Sequence, residues 1–461
     1  MRYVSTRGRA PELGFADVLL GGLAPDGGLY VPQTWPRLAG RRSRGGGYVE
    51  RAVEVMLPFV EPDLDEATLT ELCTRACATF RHPAVTPLVQ TGANQWVQEL
   101  FHGPTLAFKD VALQLVGRMF DHVLAQRRRH VTIVGATSGD TGSAAIDGVA
   151  GCAHVDIVIL YPLGRTSEVQ RRQMTTVEAP NAHAVAVEGT FDDCQDLVKA
   201  MFNDAEFRAR HDLSAVNSIN WARVMAQTVY YVVAAETFAD PATFVVPTGN
   251  FGNVLAGWIA REMGAPIRDF VLASNSNDIL TRFVNDGDMS ARPVVPSLSP
   301  SMDIQVSSNF ERLLFEMNGR DGAMTAEQLD RFRRMGRLDV EPDQRAEFVT
   351  GSFRAAAIDD DSTLHEIERM RSATQMLIDP HTATGTAAAA LFGGPDGPDT
   401  PMVTLATAHP AKFPDAVERA TGVRPPLPDH LADLFARPER TQTVANDLAA
   451  VEALVDRLVA R

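Results

Sequence analysis

Val131-Thr132-Ile133-Val134-Gly135-Ala136-Thr137-Ser138-Gly139-Asp140-Thr141-Gly142-Ser143 starts as four β-formers and turns abruptly into a polar, glycine-rich segment. The apolar run predicts a strand buried on both faces. Residues 143–149 have helical spacing, and Val155-Asp156-Ile157-Val158-Ile159-Leu160 reads as the next strand. Strand, polar turn, helix, strand is the parallel β-α-β unit, whose ligand sites lie at strand C-terminal ends. The alternation continues in both directions. A short extended segment, 97–100, precedes a helix over 110–126 that ends in Arg127-Arg128-Arg129, cations suited to a helix C-terminus. Strands at 184–187, 243–246 and 402–405 are separated by helical segments from 191, over 221–238 and over 254–263. The pattern predicts an α/β fold of parallel sheets with helices on both faces.

Composition narrows the function. The 461 residues are long enough for about two to three domains. Hydrophobic residues make up 45% and charged residues 22%, so the chain can bury real cores. The net charge of −15 argues against a general nucleic-acid or anionic-membrane binder, which needs a cationic surface. No apolar run is long enough for a membrane span, and none near the start reads as a signal peptide. The four cysteines, Cys73, Cys77, Cys152 and Cys194, form no C-x-x-C pair and predict neither a disulfide framework nor a zinc ribbon. A cytoplasmic location is expected. The run Arg41-Arg42-Ser43-Arg44-Gly45-Gly46-Gly47 reads as a surface loop, as does 393–400. His365-Glu366-Ile367-Glu368-Arg369 lacks the second histidine of a zinc protease motif and reads as a solvated helix face.

Among the 43 cationic residues, 40 are arginine and only three are lysine: Lys109, Lys199 and Lys412. Arginine serves wherever a fixed charge suffices, so the context of each lysine carries information: only a lysine amine can lose its proton and form a Schiff base. Lys109 follows Leu106-Ala107-Phe108 and opens a helix. Burial and the positive helix end both favour a neutral amine there, although the segment alone also reads as a surface lysine beside a helix start.

Three polar loops follow strands. The first, 135–143, offers glycines and hydroxyls to an anion; it is neither a Walker A loop nor a nucleophile elbow. The second, Pro247-Thr248-Gly249-Asn250-Phe251-Gly252-Asn253, fits a cup of backbone amides around a phosphate. The third is Ala406-Thr407-Ala408-His409-Pro410-Ala411-Lys412-Phe413, where a structural histidine and an exposed lysine are the plainer readings of His409 and Lys412. Each loop alone also reads as an ordinary turn. A phosphate cup together with an imine-forming lysine meets the binding needs of pyridoxal phosphate.

Taken jointly, these motifs resemble the threonine synthases. The resemblance includes 3–8 and 15–32 near the start, the lysine motif from His102 to Asp110, 137–142, 249–253 and 407–413. It implies the tryptophan synthase β-like fold (fold type II): two parallel-sheet three-layer domains, an N-terminal α+β region over 1–84 and a catalytic region over 85–461. Within the latter, a smaller α/β subdomain spans 102–215, a larger one spans 216–461 with 85–101, and 278–375 is a polar, helical insertion. The resemblance further implies that pyridoxal 5'-phosphate is bonded by Lys109, its phosphate held by Gly249, Asn250, Phe251 and Asn253, and its ring nitrogen met by Thr407. Ser138, Asp140 and Thr141 would contact the amino-acid substrate, as would 217–223. Arg165 and Lys412 are weaker candidates for the substrate phosphate. The implied reaction is O-phospho-L-homoserine plus water to L-threonine plus phosphate, the last step of threonine biosynthesis, in a monomer or homodimer. A dehydratase or cysteine-synthase-like enzyme shares fold and cofactor but needs no pocket for a substrate phosphate. A non-catalytic paralogue is expected to have lost Lys109 or eroded the loops, which this sequence has not.

Overall fold

The structure, a computed structural model, describes residues 1–38, 46–215, 217–393 and 397–460. Residues 41–45 and 394–396 of the two expected surface loops lie outside them.

Two open sheets organise the chain. The smaller has five parallel strands in the spatial order Thr441–Ala445, Ala182–Glu188, Val155–Pro162, Val131–Ala136, Leu213–Ser214. Its central strands are buried along most of their length, which is why they read as near-continuous apolar runs. The larger has six strands in the order Phe353–Ala357, Ile267–Ser274, Ala242–Pro247, Met402–Ala406, Gln95–Glu99, Leu88–Gly92. All its pairings are parallel except the last, an antiparallel hairpin. An N-terminal ribbon pairs Tyr3–Ser5 with Tyr30–Pro32. It is tied to the core through Tyr3, whose hydroxyl donates to Phe59 O at 2.7 Å and accepts from Trp221 Nε1 at 3.0 Å.

The helices Lys109–Arg127 and Trp221–Ala235 run through one apolar core that reaches from the N-terminal region to both sheets. Lys109–Arg127 crosses the helix Asp140–Val149 glycine on glycine: a Cβ on Gly117 would lie 2.0 Å from the Gly148 carbonyl oxygen, and one on Gly148 would lie 2.6 Å from Leu113 O. This close crossing sets Lys109, at the start of one helix, beside Asp140, at the start of the other. No helix among the described residues is long and apolar enough to cross a membrane.

Two boundaries differ from the sequence expectation. Residues 353–357, expected inside the insertion, form the edge strand of the six-stranded sheet, pairing with Ile267–Ser274. Their Phe-Arg-Ala-Ala-Ala sequence has no β-branched residue and no alternation to announce a strand. Residues 441–445, expected with the larger sheet, form an edge strand of the smaller one. That strand is largely exposed and polar, so it has no apolar signature to assign it to either sheet.

Candidate active site

Lys109 stands on a strained, stitched loop. Leu106 lies in the left-handed region at φ 63°, a conformation costly for a leucine and typical of functional loops. Three backbone bonds hold it: Leu106 N to Gly103 O (3.2 Å), His409 N to Leu106 O (3.0 Å) and Phe108 N to Thr407 O (2.8 Å). The Asp110 carboxylate accepts from Thr105 N at 2.8 Å and from its hydroxyl at 2.7 Å, closing the loop from below. The lysine loop and the Thr407 loop are thus one unit.

The Lys109 amine is buried. Nζ lies 3.3 Å from Ser301 Oγ and 3.4 Å from Asp140 Oδ2. Burial lowers its pKa, Asp140 opposes that, and the nearby Lys412 and Arg223 cations reinforce it. The balance makes the amine easier to deprotonate than an ordinary lysine.

Asp140 sits at the hub. Oδ1 accepts from Gln170 Nε2 at 2.8 Å and pairs with Lys412 Nζ at 3.0 Å; Oδ2 accepts from Ser301 Oγ at 3.0 Å. Burial alone would raise its pKa, but Lys412, Lys109, His381 and the Gln170 bond together hold it well below the usual carboxylate range. Its carboxylate therefore faces Lys109 and Lys412 rather than an open substrate space. Lys412, read from sequence as exposed, is fully buried. Its Nζ also donates to Thr105 O at 2.7 Å and Gln173 Oε1 at 3.0 Å, leaving it no donor for a substrate phosphate. Arg165 is exposed and takes no part in these contacts around Lys109 and Asp140.

The loop after Val131–Ala136 is shaped by Thr137, whose hydroxyl accepts from Gly139 N at 3.0 Å and Gly142 N at 2.9 Å. Ser138 is exposed and Thr141 half-buried, both at the start of Asp140–Val149. Their hydroxyls and the helix N-terminus suit an anion such as a carboxylate.

The loop after Ala242–Pro247 meets the start of Gly252–Glu262. Phe251 takes the left-handed conformation at φ 62° and buries its ring. Gly249 has no room for a side chain: a Cβ there would lie 2.9 Å from Ile304 Cδ1 and 3.1 Å from Ser301 O. Asn250 is held by Asn309 N, which donates to its carbonyl at 3.1 Å, and by Ser308 Oγ, which donates to Oδ1 at 3.2 Å. The Asn253 side chain is consumed within the loop, accepting from Thr248 Oγ1 and donating to Pro247 O, both at 2.8 Å. What it offers a ligand is its backbone N–H in the first helical turn. Thr407 is buried just beyond the end of Met402–Ala406.

Arg223 lies on Trp221–Ala235, whose N-cap, Asn220, accepts from Ala222 N at 3.0 Å. It is buried, and its Nε and Nη1 have no hydrogen-bond partner. Burial pushes its pKa down to about 10. Buried guanidinium donors without partners are costly, and such donors suit an anion.

Several site residues had no sequence signal. Ser301 touches both Lys109 and Asp140, and its backbone N–H donates to His381 Nε2 at 3.3 Å. Burial pushes His381 down to about 4, so it is neutral, with its proton on Nδ1, 3.8 Å from Asp379 Oδ2. His409 is structural: its Nδ1 accepts from Ala411 N at 3.1 Å and its ring packs against Phe101.

Asp379 yields a pH prediction. Its carboxylate accepts from Thr382 N at 3.1 Å at the head of Pro380–Gly393, yet burial raises its pKa from 3.8 to about 8. The folded state holds a proton that the unfolded state releases above pH 3.8. Stability present below that pH is lost as pH climbs towards 8. Asp379→Asn removes this titration while keeping an N-cap acceptor. Relative to wild type, its Tm is expected to rise progressively between pH 5 and about 8 and then level off; a difference independent of pH is the contrary result.

The pieces fit one group. A buried primary amine and a cup of helix-terminal amides flank the same Ser301, which suits an aldehyde and a phosphate on one small molecule. The family model "Pyridoxal-phosphate dependent enzyme" matches residues 79–408. The chain is thus a fold type II enzyme whose cofactor is pyridoxal phosphate. The models "Threonine synthase N terminus" and "Threonine synthase, C-terminal" match residues 2–77 and 382–455. A threonine synthase from Pseudomonas aeruginosa is 53% identical, covering 99% of this chain and 98% of the relative. One from Schizosaccharomyces pombe is 44% identical, covering 91% and 89%. The crystal structure of a PLP-bound threonine synthase from Brucella melitensis superposes with a TM-score of 0.97 at 50% identity over 100% of both chains. The yeast threonine synthase structure gives 0.94 at 37% identity, covering 100% and 99%. The chain belongs to the threonine synthase family.

Proposed function

We propose that the chain converts O-phospho-L-homoserine and water into L-threonine and phosphate, as a carbon–oxygen lyase acting on a phosphate ester. The observation that carries this reading beyond cofactor and fold is Arg223, a buried guanidinium with unpaired donors within electrostatic reach of Lys109. A substrate that carries a phosphate as well as its carboxylate brings a second anion for Arg223. A dehydratase acting on an unphosphorylated amino acid brings only the carboxylate, for which Ser138 and Thr141 suffice.

Bound pyridoxal phosphate supplies an aldehyde for the imine and a ring that delocalises charge developing at the substrate Cα. In this reading Lys109 bonds it, the amides of Gly249, Asn250, Phe251 and Asn253 hold its phosphate, and Thr407 meets its ring nitrogen. A hydroxyl there fixes a ring proton less firmly than a carboxylate does. Lys109, freed by the substrate amine, would move protons one at a time: it takes the Cα proton and gives it up before taking one from Cβ. Cγ takes a proton to become the methyl group once the phosphate has left. Water adds its hydroxyl at Cβ, with its other proton balancing the released phosphate, and a proton returns to Cα. Ser138 and Thr141 bind the substrate carboxylate, and Asp140 steers the lysine. Arg223, aided by Asn217 and Ser218, holds the substrate phosphate until it leaves from Cγ. Four unpaired thiols suit a reducing compartment, and we place the enzyme in the cytoplasm, as the final step of threonine biosynthesis.

The test is direct. The purified chain with pyridoxal phosphate is expected to release threonine and phosphate in equal amounts from O-phospho-L-homoserine. Ammonia from threonine, with no phosphate release, would establish the dehydratase instead.

A further inference from the structure

Lys412 belongs to no part of the chemistry just described, yet it is the only lysine besides Lys109 in the site and is wholly enclosed. We propose that Lys412 acts on Lys109 through Asp140, as a positioning residue that claims one carboxylate oxygen so that only the other reaches the reacting amine. This rests on reading Lys109 as the residue that bonds the cofactor.

The geometry is a relay of fixed contacts. Thr105 O at 2.7 Å and Gln173 Oε1 at 3.0 Å hold Lys412 Nζ from behind. Gln173 is itself fixed, donating from Nε2 to Thr105 O at 3.1 Å. Thr105 in turn bonds Asp110, the residue after Lys109, so both ends of the relay hang on the lysine loop. The third donor of Lys412 meets Asp140 Oδ1 at 3.0 Å, where Gln170 also donates. Oδ1 is then fully engaged. Oδ2 remains for Lys109 and Ser301.

The charges around Lys109 come from four other elements: Asp140 from Asp140–Val149, Lys412 from Pro410–Lys412, Arg223 from Trp221–Ala235 and His381 from Pro380–Gly393. His381 is neutral over the working range, so the charges acting on Lys109 are the Asp140 carboxylate against Lys412 and Arg223. Asp110, raised to about 7 near Lys412, and Asp379, raised to about 8 near Asp140, add negative charge only as pH climbs. With Lys412 present, the carboxylate is shared and its pull on Lys109 is offset. Without it, Asp140 faces Lys109 alone and holds the amine as a cation, unable to take a proton or bond an aldehyde. An arginine cannot replace Lys412 here, because a compact ammonium is needed to meet three acceptors around one atom.

The experiment compares wild type with Lys412→Gln, Lys412→Met and the double variant Lys412→Met/Asp140→Asn, all full length. Two pH midpoints are read: that of the visible absorbance of the bound cofactor in the holoenzyme, and that of Lys109 acylation, mapped by peptide mass, in the chain stripped of cofactor. Both are expected to rise by about one to three units in the single variants. kcat should fall at neutral pH, with KM changing less, and the double variant should return the midpoints towards wild type. Lys412→Gln keeps a donor for Thr105 O, so it remains informative if the methionine variant folds poorly. Unmoved midpoints in a folded single variant overturn the proposal. So does a double variant that stays with the single ones, since a packing role would not be reversed by removing the carboxylate. A wild-type absorbance that does not depend on Lys109 defeats the reading of the cofactor site itself.

Discussion

Lys109→Arg is expected to lose at least about 10⁴-fold in turnover while keeping its charge and the fold. The substitution separates two roles that burial confuses. A lysine kept only as the partner of Asp140, 3.4 Å away, would be replaced by arginine with modest loss. An amine that must shed its proton, bond an aldehyde and then move protons at carbon has no arginine equivalent, because a guanidinium stays protonated. The variant should also lose the visible absorbance of the bound cofactor, measured beside steady-state phosphate release. Residual turnover within about tenfold of wild type would remove Lys109 from the chemistry.

Arg223→Met should move two measurements in opposite directions. Turnover of O-phospho-L-homoserine is expected to fall by about 10²- to 10³-fold in kcat/KM, the usual scale for losing one partner of a desolvated charge pair. Thermal stability of the free protein is expected to rise. In the free state the guanidinium is buried with Nε and Nη1 unpaired, and a methionine of similar length removes that cost. In the holoenzyme, where the cofactor phosphate fills the Gly249–Asn253 cup, inorganic phosphate should raise the Tm of wild type and leave the variant unchanged, because only a protein with a free anion site gains from the ligand. A variant less stable than wild type, with kcat/KM intact, would mean that Arg223 braces the core and does not bind substrate. The stability cost sits where a site stores it for its ligand.

Much of this was legible along the chain. Val131–Val134, Val155–Leu160 and Phe244–Val246 are strands buried on both faces, and such strands declare themselves by composition. The glycine loops after them, and Lys109 at a helix start, were visible because strand ends and helix starts are where an α/β fold places ligands. The contacts that make the lysine a site were not legible. Ser301 lies 192 residues from Lys109, and Thr105 lies 307 residues from Lys412. No periodicity links such positions, so Lys412 looked like a surface charge and Ser301 and His381 like loop and helix residues. The Asp140 loop suits an anion and reads as a substrate contact; the two lysine side chains that claim its carboxylate arrive from other segments. Edge strands were the other blind spot. Thr441–Ala445 is too polar, and Phe353–Ala357 too poor in β-branched residues, to stand out from the loops beside them.

The strand Thr441–Ala445 has a consequence for how the protein is made. It pairs with a strand 257 residues earlier, so the smaller sheet lacks this edge strand until those further residues have been made. Ala182–Glu188 meanwhile presents a free edge that any nascent neighbour could extend. Contacts of such long sequence separation form slowly, since a large loop must close before they give anything back. Completion of the smaller sheet therefore waits on this late pairing, and until it forms the open edge is the part of the sheet most exposed to pairing with another chain.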